Sequence, residues 1–345
     1  MELEKRYLER ARALHAAFPA ADAHLDLAGE LLLRLERGEE DPLRDRYLKT
    51  LRAGGFGLIV SSVYLTDRQL REGGMDAAFQ QIRALEREIG KNPEFMIVRT
   101  AKELDRAVCE GRTGVLLYME GLDCIGEDVG ALRFLWERGV RGASLTWSRK
   151  NALASGCCRG GERINVRGGL TEAGVRAVRE MERLGMFVDV SHLNDDGFKD
   201  LRRVAERPWI ATHSNCRSVY FHYRNLDDRQ LERLAEQGGV LGLNGCGCIV
   251  GCPPGAGAME LLCRHAEHAV SRIGARHVGY GFDFCDSYNA AGSEPGKEPP
   301  PDDCLGNHSR APELTAALLQ RGMKEEDVRS LLGRSVLDYF RKMLP

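Results

Sequence analysis

Short apolar runs alternate with longer, charged segments of helical period from one end of the chain to the other. The runs fall at 21–27, 57–65, 114–120, 142–147, 186–192, 209–213, 239–244 and 277–284. Between them lie segments rich in Glu, Arg, Leu and Ala, among them 75–90, 171–184, 227–237 and 259–273. A helix that links two strands acts as a crossover and leaves them parallel in one sheet. Eight such units favour closure over an open sheet, so the expected fold is α/β, a (β/α)8 TIM barrel. A ninth run, Phe95–Val98, exceeds that count and is expected as a peripheral strand. No linker or internal repeat divides the chain, and 345 residues suit one barrel domain spanning 1–345. Residues 1–18 read as an amphipathic N-terminal helix. Residues 286–312, whose centre reads GSEPGKEPPPDDC, hold too much proline and glycine for regular structure. They follow the last strand and are expected to form a long loop over the barrel mouth.

Charge and hydropathy exclude several classes of function. Lys and Arg (49) nearly balance Asp and Glu (51), which leaves no basic field for nucleic acid. The first residues carry Glu2, Glu4, Lys5, Arg6, Glu9, Arg10 and Arg12 where a signal peptide would be apolar. No stretch approaches the roughly 18 apolar residues that span a bilayer. The expectation is a cytoplasmic protein with neither nucleic acid nor membrane as partner. Its eleven cysteines are expected to be mostly reduced, buried and structural.

Metal-ligand residue types fall at particular places in this pattern. His24 and Asp26 close the first run, Glu120 the third, His192 the fifth and His213 the sixth, while Asp283 lies within the eighth. These are C-terminal strand ends, where barrel enzymes place their chemistry. In Asp22-Ala23-His24-Leu25-Asp26, the residues His24 and Asp26 are two apart and would share one face of a strand. Any one of the six, taken singly, reads as a structural residue with a hydrogen-bond partner. Their conjunction does not, because carboxylates clustered in a barrel mouth are costly without a cation. Imidazole and carboxylate without thiolate suit Zn²⁺ with open positions, the arrangement of a catalytic site.

Longer segments add a resemblance. DAHLDL at 22–27, YMEG at 118–121, ASLTW at 143–147 and GLTEAGVRAVREMERLGMFVDVSH at 169–192 are followed by ATHSNCRSVYFHYRN at 211–225, GVLGLN at 239–244, HVGYGFDF at 277–284 and GRSVLDYF near 340. In order, and over nearly the whole chain, they resemble the membrane dipeptidase (renal dipeptidase) family, peptidase family M19, of the amidohydrolase superfamily. That resemblance implies two Zn²⁺ ions per chain. His24 and Asp26 would hold the first, Glu120 would bridge, and His192 and His213 would complete the second. It also implies Asp283 as the catalytic proton carrier and Arg224 as the receiver of the substrate's terminal carboxylate, with Asn225 and Trp147 in the substrate-binding set. A guanidinium fork matches a carboxylate better than a lysine would. On the residues alone, Arg224 reads as a surface arginine ahead of the 227–237 helix. The implied reaction is hydrolysis of a dipeptide, L-D as well as L-L, by a metal-bridging hydroxide. Family members are commonly dimers, which leaves a homodimer open.

The chain departs from the family in three places. Trp147 stands where the best-known members have a histidine, and an indole donates one N–H but carries no base. Cys285 replaces the second aspartate of the family's GSDFDG. The loop after the seventh run carries Cys246, Cys248 and Cys252. With no paired CxxC spacing, and no fourth ligand unless Cys263 reaches back, these read as small residues on a pocket wall and not as a soft-metal site. His265 and His268 share a helix face and read as surface residues, and His15, His222, His277 and His308 have no assigned role. Two other functional readings remain: a different amidohydrolase reaction on an N-acyl, lactone or natural-product amide substrate, and a non-catalytic metal-binding barrel.

Overall fold

The structure, a computed structural model, describes residues 2–157, 166–252, 255, 257–294 and 296–345; Cys158 lies outside them. Among the described residues nine strands form, namely β1 (Ala20–Leu25), β2 (Phe56–Tyr64), β3 (Phe95–Val98), β4 (Thr113–Glu120), β5 (Gly142–Ser144), β6 (Phe187–Asp189), β7 (Ala211–Ser214), β8 (Leu241–Leu243) and β9 (Val278–Tyr280). These strands all pair in parallel, in the order β6-β5-β4-β2-β1-β9-β8-β7, with β3 attached to β4 outside the ring. Ile210 N donates to Val188 O at 3.0 Å and Val190 N to Ile210 O at 2.9 Å, which carries the ladder from β6 to β7 and closes the barrel. The expected barrel and its peripheral ninth strand are both present.

Local chemistry sets where the helices begin. Thr66, Thr171, Asn194 and Asp227 each accept a hydrogen bond from a backbone N–H in the first turn of the helix that follows. At Thr66 and Asp227 the third helical residue, Gln69 or Gln230, returns the bond to complete a capping box. The helix Asp67–Lys91 begins a full two turns before the expected 75–90 segment and is interrupted at Gly73, whose φ of 131° only glycine adopts freely. The N-terminal helix runs Lys5–Ala17.

Two packing layers position the mouth. Inward residues Ala21, Ala23, Leu58, Val60, Leu116 and Tyr118 cluster with Val336, Phe340 and Met343 of the C-terminal helix Ser335–Met343. That helix stops the end of the barrel opposite His24 and Glu120. The outward faces of the strands pack against the surrounding helices in a second cluster.

The segment after β9 differs from expectation. Residues Asp286–Gly292 form a helix, and a turn at His308–Arg310 leads into the helix Ala311–Gln320. The prolines are concentrated at 295 and 299–301, so DSYNAAG is free of them, and Pro312 falls in the first turn of its helix where its missing N–H costs nothing. Among the described residues no helix is long and apolar enough to cross a membrane.

Candidate active site

The ligand-type residues converge at the C-terminal mouth, although not all from strands. His24 projects from β1 and is fully buried, and Glu120 is the last residue of β4. Asp26 has left the strand: it occupies the N-terminal cap of the helix Leu27–Glu36 with ψ 43°, so strand alternation is not what brings it back toward His24. His192 and Asp283 lie in loops beyond β6 and β9, not within the strands. At Asp283 the chain turns through φ 55°, the one described non-glycine residue in the left-handed region. Such a conformation costs free energy and persists where the surroundings enforce it.

The distances define one compact cluster. His24 Nε2 lies 3.7 Å from Asp26 Oδ1, 3.8 Å from Glu120 Oε2 and 3.6 Å from Asp283 Oδ1. All three exceed hydrogen-bond length, so this buried nitrogen has no hydrogen-bond partner among the described residues. Glu120 Oε1 lies 2.7 Å from His192 Nε2 and 3.4 Å from His213 Nε2, and those two nitrogens are 2.9 Å apart. Ligand atoms of His24, Glu120 and His213, and of His24, Asp26 and Asp283, form two groups compact enough to hold a cation.

A supporting layer aims these atoms. Thr212 Oγ1 donates to Asp189 Oδ2 at 2.7 Å, so it receives the proton of His213 Nδ1, also at 2.7 Å. That relay leaves the lone pair of His213 on Nε2, facing the cluster. Ser148 Oγ lies 2.9 Å from His192 Nδ1 and fixes the orientation of that ring. Ser62 donates to Asp26, and Asn244 Nδ2 donates to Asp283 Oδ2 at 2.9 Å. None of these five was singled out from sequence. Asp189 had a usable signal, as a lone carboxylate inside the apolar run that ends at His192.

Electrostatics mark the cluster as short of positive charge. Burial opposes a charge on His24, yet Glu120, Asp26 and Asp283 outweigh it and push the imidazole up to about 10. Burial holds Glu120 well above the usual carboxylate range, with Asp26 and Asp283 adding to the effect. Burial also lifts Asp283 to about 6, against the pull of His24. His192 and His213 are driven well down by burial and by the neighbouring Arg224 and His24, and stay neutral. Neutral imidazoles beside carboxylates that strain toward protonation are donors that a metal ion could use.

The cluster opens into a cavity of about 540 Å³ lined by Asp26, Glu120, Trp147, His192, Arg224 and Asp283. Tyr64, His222, Tyr288, Asn289 and Asp302 complete much of the wall, so parts of the 286–312 segment do border the mouth. Trp147 stacks over His192 with ring centroids 5.7 Å apart. Arg224 is 3% exposed, which overturns its reading as a surface residue. Its guanidinium donates to His213 O at 3.1 Å and to Ser191 O, tying the end of β7 to the loop that carries His192. Asn225 does not line the cavity. Its amide is spent on the backbone of Tyr220, Ile249 and Asn215, which shapes the loop bearing Arg224. His265 is likewise buried and not on the surface, whereas His268 pairs with Asp228 at 2.8 Å. His308 Nε2 bonds Asp22 Oδ2 at 2.8 Å beneath the site, and His15 bridges Gly54 O and Thr315.

Comparison with known proteins agrees with this geometry. Residues 8–343 match the family model "Membrane dipeptidase (Peptidase family M19)". Dipeptidase verJ of Clonostachys rogersoniana is 30% identical over 303 residues, 84% of this chain and 74% of that protein. Mouse dipeptidase 3 is 28% identical over 99% of this chain and 67% of its own length. A crystal structure of an M19 metallopeptidase, dipeptidase AC, superposes with a TM-score of 0.82 at 28% identity, covering 95% of this chain and 99% of that one. A Rhodobacter sphaeroides metallopeptidase bound to a phosphinate mimic of L-Ala-D-Ala gives 0.81 at 26% identity, with the same coverage. With the matched model spanning nearly all of the chain, this protein belongs to the membrane dipeptidase family M19, a family of metallopeptidases.

Proposed function

We propose that this chain hydrolyses dipeptides with the help of two divalent cations, zinc by the chemistry of the donors. His24 and Asp26 would hold one ion, His192 and His213 the other, and Glu120 would lie between them. The observation that carries this reading is His24 Nε2, buried and unpartnered, with three carboxylates 3.6–3.8 Å away. Ions bound there would acidify a water molecule and polarise the scissile carbonyl.

The remaining work falls to the chain. Asp283, lifted toward neutrality and aimed by Asn244, takes up a proton and returns it to the leaving amine. Arg224 lines the cavity and presents a planar donor fork for the free carboxylate of the substrate. The indole N–H of Trp147 is a donor for the carbonyl oxygen and replaces no base. A carboxylate clamp one residue beyond the cut restricts the substrate to very short peptides. The dipeptide mimic bound by the Rhodobacter relative supports acceptance of a D-residue on the C-terminal side, L-D as well as L-L.

Kinetics on a dipeptide and on its C-terminal amide test this reading in wild type and in Arg224→Met. The free acid should lose about a hundredfold or more in kcat/KM in the variant, the cost of an unpaired buried charge. The amide, already poor, should change little. Equal turnover of acid and amide by the wild type would refute the carboxylate clamp and favour an N-acyl or lactone substrate.

A further inference from the structure

Beside the histidine and carboxylate cluster lies a second group of ligand-type side chains that dipeptide hydrolysis does not use. Cys246 comes from the loop after β8, Cys285 from the loop after β9, and Asp303 from the far end of the long segment that follows. Cys246 Sγ and Cys285 Sγ are 3.6 Å apart, and Asp303 Oδ1 lies 4.0 Å from the first and 3.7 Å from the second. Both cysteines are free thiols. The trio is among the groups whose ligand atoms all lie within 4.8 Å of one another.

Those distances fit a particular ion. Zinc–sulfur bonds of about 2.3 Å in a tetrahedron place two sulfurs about 3.8 Å apart, and a carboxylate oxygen at about 2.0 Å would lie about 3.5 Å from each. The observed spacings need shifts of a few tenths of an ångström to match. Asp303 is also held in place: its two oxygens accept the N–H groups of Cys285 and Asp286, each at 3.0 Å. Asp286 returns the favour, accepting from the N–H groups of Asp302 at 2.7 Å and Asp303 at 3.1 Å. Asp303 is nonetheless 4% exposed and meets no cationic side chain among the described residues. A buried carboxylate without a cation is costly, and two sulfurs beside it supply the softness that selects a thiophilic ion.

We infer that Cys246, Cys285 and Asp303 form a separate binding site for a thiophilic divalent cation such as Zn²⁺ or Cd²⁺, with its fourth position open to the catalytic cavity. Cys246 and Cys285 both line that cavity, which gives an ion its route in. Binding replaces two thiol protons, which pass to the buffer, with two metal–sulfur bonds. Cys246 Sγ is 3.7 Å from Asp283 Oδ2, so the ion would lie next to the proposed proton carrier.

The test uses full-length protein, reduced, stripped of metal and titrated with Cd²⁺. The histidine and carboxylate cluster contains no sulfur, so the part of a thiolate-to-cadmium absorption band that depends on Cys246 and Cys285 reports this site and is independent of the dipeptidase reading. Wild type should develop the band and bind one equivalent more than either Cys246→Ser or Cys285→Ser, which should both lose it. Cys109→Ser, at an exposed and unrelated position, should keep it. Cadmium-edge X-ray absorption on wild type alone should find sulfur in the shell of that extra equivalent, whether or not the serine variants fold. A folded wild type without the band, or a band undiminished in both serine variants, would overturn the assignment.

Discussion

Replacing His265 with glutamine should change how stability depends on pH, by an amount the structure sets. His265 is fully buried on the helix Ala258–Ile273. Its Nδ1 accepts the N–H of Cys216 at 3.2 Å, and its Nε2, 3.0 Å from Val250 O, donates. Both nitrogens are therefore satisfied by the neutral ring alone, and a second proton would face an N–H. Burial lowers its pKa to about 4, with His268 and Arg264 adding and Val250 opposing. The folded value lies below the unfolded one of about 6.5, so the unfolded chain binds the proton first. The stabilisation is whole above pH 6.5 and is lost as pH falls toward 4. Between pH 7 and pH 4.5 the loss amounts to about 2.5 kcal/mol. Urea unfolding of wild type and His265→Gln at both values isolates it, because the other titrating groups are common to both proteins. At pH 7 wild type should be more stable by about 1–2 kcal/mol, since the variant leaves Cys216 N–H without its acceptor. At pH 4.5 that advantage should vanish or reverse. Stability curves that stay parallel through this range would refute the reasoning.

Two further substitutions probe the mouth. Asp283→Asn should keep its metal content, read by elemental analysis, while kcat falls about 10²–10⁴-fold, because the amide cannot carry a proton; near-normal turnover would remove Asp283 from the reaction. Gly281→Ala would place a Cβ 1.7 Å from Thr212 O, a backbone atom that cannot yield cheaply and that adjoins His213. It should cost about 3 kcal/mol in chemical unfolding and lower activity as well, whereas an unchanged transition midpoint would show that the close approach is not enforced.

The barrel was legible because its signal is repetitive: apolar runs separated by helix-length charged segments leave few topologies. The positions of His24, Glu120 and His213 were legible because strand ends collect at one mouth. Asp26 and Asp283 were identified as residues but not as geometry, since a helix cap and a left-handed turn depend on neighbours distant in sequence. Arg224 and His265 looked like surface residues because nothing local shows that a loop or helix face will be covered. The Cys246, Cys285 and Asp303 group was split across three loops, and the cysteines nearest in sequence, Cys248 and Cys252, proved to be outside it. Asn225, which the resemblance places in the substrate-binding set, has its amide bonded to the backbone of Asn215 and Ile249, partners that no local pattern in the sequence announces.

The claim on which the rest depends is that the cluster around His24 is a metal centre that cuts dipeptides. The direct measurement is amine release from an L-L dipeptide, an L-D dipeptide and a tripeptide, before chelation, after it, and after Zn²⁺ is restored. The account predicts turnover of dipeptides that disappears with the metal and returns with it, and none of the tripeptide at any stage. Turnover that survives complete metal removal, or a zinc-restored protein inert toward every dipeptide, would contradict it.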